Sequence, residues 1–257
     1  MGKLTQRFFV ASQSSAHRKV AKGQEPDLNL LSYLAVNMEL WLNASHVAEF
    51  YEDQLEAAVP IMSIDTDDAA GALRYARDLD IATELALATE ISPTHDWGEM
   101  TTAPTSDHDP LIDIGAALAT LTGGGSGNGK VVANPSFLAM APDVWADFVS
   151  NSYITKYLQA GQIQIPGPGS PVGSLGLPMF PNLRIVVHGS LTPTTSAFLV
   201  DPRYFILGQG PTQSVGYTND LKRVEGHVLY EYLQPKLVTD QSATYTVGVR
   251  EITGVHA

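Results

Sequence analysis

Asp109-Pro110-Leu111-Ile112-Asp113-Ile114 opens a short helix and Lys130-Val131-Val132-Ala133-Asn134-Pro135 follows as a strand. Trp145, Leu175-Gly176-Leu177-Pro178-Met179 and Phe198-Leu199-Val200-Asp201-Pro202-Arg203 come after in that order. Asp109 suits a helix cap, and Pro110 suits the first helical position because it has no N–H to leave unpaired. The glycines from Gly123 to Gly129 end that helix. Another helix is expected over about 142–150, with Val144, Trp145, Phe148 and Val149 inward. Residues 161–176 hold Gly161, Gly167, Gly169, Gly173 and Gly176 with Pro166, Pro168 and Pro171, which reads as an extended loop. Strand candidates follow at 183–187, 197–207, 222–233 and 245–249.

Upstream, Leu34, Val36, Met38, Leu40 and Leu42 recur at every second position, the clearest strand pattern in the chain. A polar break at Asn43 to Ser45 is expected to end it. Over 46–59, Val47, Phe50, Tyr51, Leu55 and Ala58 fit helical spacing while the edges also suit a strand. The clearest helix is expected over about 67–90, introduced by Asp65, Thr66, Asp67 and Asp68 at the positive end of its dipole. Its expected buried stripe is Ala69, Leu73, Ala76, Leu79, Thr83, Ala86 and Leu87, with Arg74, Arg77, Asp78 and Asp80 largely off it. Residues 1–26 are polar without lasting periodicity and read as an arm ordered only against something else. The mixture is α+β.

A chain of 257 residues with 44% hydrophobic and 16% charged residues folds around one sizeable core or two modest ones. Twenty-seven acidic against 15 basic side chains give a net charge of -12. The basic residues are scattered, so the stripe that displaces counterions from nucleic-acid phosphates is missing. With no cysteine, disulfides and thiolate chemistry are excluded. No signal-peptide pattern and no long apolar run occurs, which predicts a soluble protein made in the cytoplasm, with no membrane.

Motifs that could carry chemistry are incomplete. Gly124, Gly129 and Lys130 satisfy the spacing of a phosphate-binding loop, but Val131 stands where a hydroxyl is needed, and the helix–loop–strand order is reversed. His95-Asp96 and Asp107-His108-Asp109 lie among turn residues without a helical histidine pair. Asp65, Asp67 and Asp68 lack the glycine and glutamate of a calcium loop, since positions 70 and 76 are alanine. No serine sits in a nucleophile elbow. No catalytic residue, metal ligand or cofactor is assigned.

The order of these elements resembles the tailed-virus major capsid proteins of the Hong Kong 97 fold, a family that includes the encapsulin nanocompartments. The resemblance spans about residues 30–254 and rests on order rather than on one motif; the run from Leu85 to Glu90 is similar to the family's Leu-x-x-x-x-Glu pattern. It implies an N-terminal arm (1–29), an extended loop (30–63), a peripheral domain with a spine helix (64–96), an axial domain (97–195) and return strands of the peripheral domain (196–257). In such proteins 46–59 holds the returning strand of the loop. The function implied is a structural, self-assembling protein, not an enzyme, whose pentamers and hexamers form an icosahedral shell around double-stranded DNA of a bacterial or archaeal tailed virus.

Its partners would be itself, with scaffold and portal proteins, and DNA held without sequence-specific binding; its place would be the virion capsid, assembled in the host cytoplasm. No upstream scaffolding segment is expected. No lysine lies between Lys22 and Lys130, so the covalent cross-link of some relatives is not expected. Leu34, Val36, Met38, Leu40 and Trp41 are the expected inter-subunit contacts. An encapsulin-type shell is the alternative, although the first 30 residues lack the amphipathic helix of its cargo groove. An alternative of another class is a small enzyme using the Gly123 to Lys130 loop.

Overall fold

The computed structural model describes residues 4–11, 33–50, 52–53, 61–91, 95–98, 109–122, 132–161, 163–164, 172–175, 183–192, 194–219, 222–239 and 245–256. The strand candidates sort into two sheets. The first contains β1 (Leu4–Ala11), β2 (Tyr33–Phe50), β9 (Phe205–Gln209), β10 (Gln213–Asn219) and β11 (Val224–Leu237). The second runs β3 (Thr89–Ile91), β12 (Val249–Ile252), β8 (Ala197–Val200), β4 (Phe137–Met140), β7 (Leu183–Val187), β6 (Val172–Leu175) and β5 (Ile163–Gln164). The helices with described bounds are α1 (Ile61–Leu85), α2 (Pro110–Thr122), α3 (Pro142–Ser150) and α4 (Ser152–Gln159), and residues 52–53 are also helical.

The second sheet holds the main core. Phe198 and Leu199 on β8, Leu138 and Met140 on β4 and Ile185 on β7 are fully buried with Ile114 and Leu121 of α2, Val144 and Phe148 of α3 and Trp97. β4 and β8 are short continuous apolar runs, as expected of strands covered on both faces. Asp109 caps α2 as its sequence implies, its carboxylate accepting from Leu111 N at 2.9 Å. His95 and Trp97 play a structural part. His95 Nδ1 lies 3.1 Å from Asp113 Oδ1, and Trp97 Nε1 donates to Asp113 Oδ2 at 3.0 Å. Asp113 is buried, so this clamp satisfies a carboxylate that burial would otherwise penalise.

Asp201-Pro202-Arg203 closes β8 in the same manner. The buried Asp201 carboxylate accepts from Asn134 N at 2.7 Å and from Arg203 Nη2 at 2.6 Å, which brings two stretches singled out in the sequence into contact. Opposite them, Gly248 sits at φ +75 with the Tyr204 ring where a Cβ would be, so only glycine fits.

The first sheet departs from the sequence reading in several places. Leu4–Ala11, within the segment read as an arm ordered only against something else, is a strand that pairs antiparallel with the first half of β2, Leu4 opposite Leu40 and Ala11 opposite Tyr33. β2 runs unbroken through Asn43 to Ser45 as far as Phe50, because its second half pairs with β11, Trp41 opposite Leu233 and Phe50 opposite Val224. The side chains facing α1 there are polar: Asn43 Nδ2 donates to Asp80 Oδ2 on α1 at 2.9 Å. Of 46–59, the described residues 46–50 are strand and 52–53 are helical, so each of the two readings holds for part of the segment.

Helix α1 starts at Ile61 and ends at Leu85, so Asp65 to Asp68 lie within it and Glu90 belongs to β3. Its buried stripe is Ala69, Leu73, Ala82 and Leu85; Leu79 and Leu87, expected inside, are exposed. Arg77, expected off the stripe, reaches Glu231 of β11 at 2.6 Å, and Glu84 accepts from Leu237 N at 2.9 Å. Polar groups on both partners add to the apolar seam that Ala69 and Leu73 keep as the periodicity implies.

Elsewhere the strand expected over 130–133 is absent from its described part; Ala133 N instead bonds Leu121 O, and the strand begins at Phe137. Within the expected loop 161–176, β5 and β6 pair antiparallel. The strand candidate 197–207 divides between the two sheets at a 3-10 turn, Pro202–Tyr204. The strand expected over 245–249 begins only at Val249, because Thr246 and Gly248 serve the turn before it. The sequence pattern does not anticipate α4, β3 or β10. The Gly123 to Lys130 loop, Asp107 and His108 lie outside the described residues.

Two outcomes test these contacts. Arg77→Ala leaves the Glu231 carboxylate, 1% exposed, without its cation and should cost about 3 kcal/mol in chemical denaturation, whereas Arg77→Met with Glu231→Leu should recover most of that loss. In thermal melts across pH, the Asp201 and His256 contributions should have opposite signs. Burial opposes charge on Asp201, but bonds from Arg203 and from the Asn134 and Arg203 N–H groups outweigh it and lower its pKa. Its stabilisation is full above the unfolded value of about 3.9 and is lost as pH falls through the lower folded value. The Asp147 carboxylate bonded to His256 raises the histidine pKa. That stabilisation is full below about pH 6.5 and is lost as pH rises through the folded value. Asp201→Asn should remove the acid-side dependence and His256→Asn the alkaline-side one.

Candidate assembly surface

The hairpin of β1 and β2 is fastened to the first sheet at its base. Met38 and Leu40 are buried, and they close on the backbone of Gly208 in β9, where an added Cβ would lie 2.8 Å from Leu40 Cδ2 and 3.0 Å from Met38 Cε. Gln6 Nε2 reaches Gln209 O at 3.4 Å. Glycine at 208 is what permits this approach.

Beyond Leu40 the alternation of β2 changes phase. Trp41 and Leu42 are consecutive and both exposed, at 62% and 41%, after which Val47 and Glu49 are buried and His46, Ala48 and Phe50 exposed. The switch coincides with the change of partner from β1 to β11. On β1, Phe9 is 62% exposed with the Arg7 guanidinium 5.2 Å above its ring.

The five residues expected to form inter-subunit contacts therefore separate. Met38 and Leu40 are taken up by packing within the chain. Val36 is half-buried and Trp41 is exposed; Leu34 is placed by its backbone pairing with Val10. Phe9, Leu42, Phe50 and Val215 are exposed apolar side chains that the sequence reading does not select. The adjacent Phe8 and Phe9 in an otherwise polar stretch are the available signal for the first strand.

β9 and β10 run along the other edge of β11. Gln209 pairs with Leu233 and Gln213 with Tyr230, so three residues oppose two, a bulge held by Gly210 N donating to Tyr232 O at 2.8 Å. The long hairpin so formed turns at Arg223, whose guanidinium meets Glu52 at 2.8 Å. That hydrogen bond lowers the Glu52 pKa. Among the described residues no group of three metal-ligating side chains converges, and no helix is long and apolar enough to cross a membrane. What the site offers is a broad contact surface.

No family model matches the chain, and no curated protein does. Solved structures do. One from Mycobacterium phage Che8 is 12% identical with a TM-score of 0.60, covering 100% of this chain and 86% of its own. The capsid of Ralstonia phage GP4 is 11% identical with a TM-score of 0.61, covering 99% and 84%. A virus-like particle from Pyrococcus furiosus is 11% identical with a TM-score of 0.56, covering 98% and 86%. Identity at this level carries the architecture alone, and the architecture agrees from end to end: the chain has the Hong Kong 97 capsid fold.

Proposed function

We propose that the chain is the major capsid protein of a tailed virus, a structural subunit that forms pentamers and hexamers of an icosahedral shell around packaged double-stranded DNA. The observation that carries this reading is the extent of the likeness, which takes in 99–100% of this chain. The exposed Phe9 and Trp41 support it, since large apolar groups held out on a hairpin gain stability by covering a neighbour. Scaffold and portal proteins are the further partners, the virion capsid is the location, and assembly proceeds in the host cytoplasm. The acidic balance of 27 to 15 suits a wall that holds DNA without sequence-specific binding.

In this reading α1 is the spine helix, and β2, β9, β10 and β11 form the peripheral domain. β8 and β12 share a sheet with β4 and β7, so the axial domain extends to about Val200 and takes in the last strand. The β1–β2 hairpin is the extended loop, which moves that loop toward the N-terminus relative to 30–63. Trp41, Val36 and Phe9 are its candidate contacts. A virus-like particle is a second reading, favoured by the likeness to the Pyrococcus furiosus structure of that description.

Negative-stain microscopy of the chain and its variants distinguishes packing from assembly. Trp41→Asp and Phe9→Asp should stay folded by circular dichroism and lower particle yield about tenfold or more. Leu40→Asp should lose the fold itself. Unchanged particle yield in both exposed-site variants would contradict the contact assignment. Nuclease-protected nucleic acid in particles from infected cells separates a genome shell from a protein container.

A further inference from the structure

Helix α1 hands the chain to β3, which lies at the edge of the seven-stranded sheet and pairs in parallel with β12, Glu90 beside Glu251. Paired residues on neighbouring strands project from the same side of a sheet, with the strands about 4.8 Å apart. Two carboxylates therefore stand side by side, Glu90 exposed at the edge and Glu251 only 4% exposed. Across β12, Glu251 lies opposite Phe198 of β8. Ser196, just before that strand, brings a hydroxyl to the same carboxyl group.

Among the described residues no positive charge balances this pair. Burial pushes the Glu251 pKa up, the Ser196 hydroxyl lowers it and the Glu90 charge raises it; none of these groups is a cation. Arg250 precedes Glu251 but pairs with Leu199 and so belongs to the other side of the sheet, where its guanidinium donates to the Thr246 and Val249 carbonyls. Ser196 is 1% exposed, and its Oγ has no hydrogen bond of normal length and angle among the described residues, to Glu251 or to any other group. A buried carboxyl and a buried hydroxyl that meet without closing a bond, beside a second carboxylate, leave room for a group that all three oxygens can hold.

We infer that Glu90, Glu251 and Ser196 form a binding site for a hard divalent cation, calcium in preference to magnesium. All the donors are oxygens, the set that suits hard ions. Calcium, with bonds of about 2.3–2.6 Å and an adaptable geometry, tolerates so irregular a set, whereas magnesium demands a near-ideal octahedron at about 2.0–2.1 Å. Water reaches the ion from the exposed Glu90 side and completes its coordination. With two carboxylates the affinity expected is weak, about 10⁻⁴–10⁻³ M. Only two of the donors are of the His, Asp or Glu type, which agrees with the absence of a three-ligand group among the described residues. The bound ion closes β3 on β12 where the chain leaving α1 enters the core, next to the cross-link in which Thr89 N donates to Thr246 Oγ1 at 2.9 Å. Such a site lies within one subunit and does not depend on the shell reading.

The test is titration calorimetry and thermal melting of the chelator-treated full chain at neutral pH, with calcium chloride or magnesium chloride. Wild type should bind one calcium per chain at about 10⁻⁴–10⁻³ M, at least about threefold more tightly than magnesium. Calcium at about 10 mM should raise its melting temperature by about 3 °C or more. Glu251→Gln keeps the shape of the side chain and removes its charge. It should weaken calcium binding about tenfold or more and abolish the thermal shift, while melting no lower than wild type without calcium. Glu90→Gln, at an exposed position, should weaken binding to a similar degree, and it decides the matter where Glu251→Gln fails to fold. Asp67→Asn, which alters an exposed carboxylate of α1 away from the site, should bind as wild type does. A wild type that binds no calcium would overturn the proposal, a proton then being what the pair holds. Binding left unchanged by Glu251→Gln or Glu90→Gln would overturn it as well, the ion then being held by the diffuse negative charge of the chain. Equal affinity for magnesium would overturn the preference for calcium.

Discussion

Glu231 is the constraint on which the first sheet depends. A carboxylate 1% exposed in the middle of the longest hairpin requires a cation, and Arg77 of α1 supplies it at 2.6 Å. The contact fixes the rotation of the helix about its axis, so Asp80 meets Asn43 and Glu84 meets the Leu237 N–H one and two turns further on. The same side of the sheet also carries the buried Val47 and Leu233, so polar and apolar contacts together seat the helix.

The same helix joins the two halves of the molecule. Its C-terminal residues Ala82 and Leu85 belong to the core of the seven-stranded sheet, while its middle is bound to β2 and β11. Thr- and Asp-mediated closures such as Thr89 with Thr246 and Asp201 with Asn134 tie the strands that enter and leave that core. The result is a packed centre with a hairpin and a long sheet reaching away from it. That outline leaves Phe9, Trp41, Leu42, Phe50 and Val215 exposed, side chains that the proposed repetition of the subunit would cover.

Much of the second sheet is legible in the sequence. Asp109-Pro110 marks the start of α2 through cap chemistry that acts within one turn, and the helix at Pro142–Ser150 and the strand at Leu183–Val187 fall where their periodicity puts them. These are local signals. The first sheet is harder to read because its partners are distant: Leu4–Ala11 becomes a strand only against Tyr33 to Leu40, and Asn43 to Ser45 stay extended only against β11. The stripe of α1 holds at Ala69 and Leu73 and is misplaced beyond them for the same reason, since an apolar count has no means of recognising Arg77 as an inward residue whose partner lies 154 residues away. Among residues 34–42, alternation groups Leu42 with Met38 and Leu40 and sets Trp41 apart, and only the phase change at the partner switch leaves Leu42 exposed while Met38 and Leu40 are buried.

Electron cryomicroscopy of the purified full-length chain at neutral pH bears most directly on the central claim, that this chain builds a shell by covering the surfaces it leaves apolar. The account predicts closed particles or capsomers in which the face bearing Val215 and Phe50 and the hairpin bearing Phe9 and Trp41 lie against neighbouring copies. Particles in which those side chains face solvent would contradict the assignment of the surfaces, and a chain that stays monomeric at high concentration would contradict the claim itself.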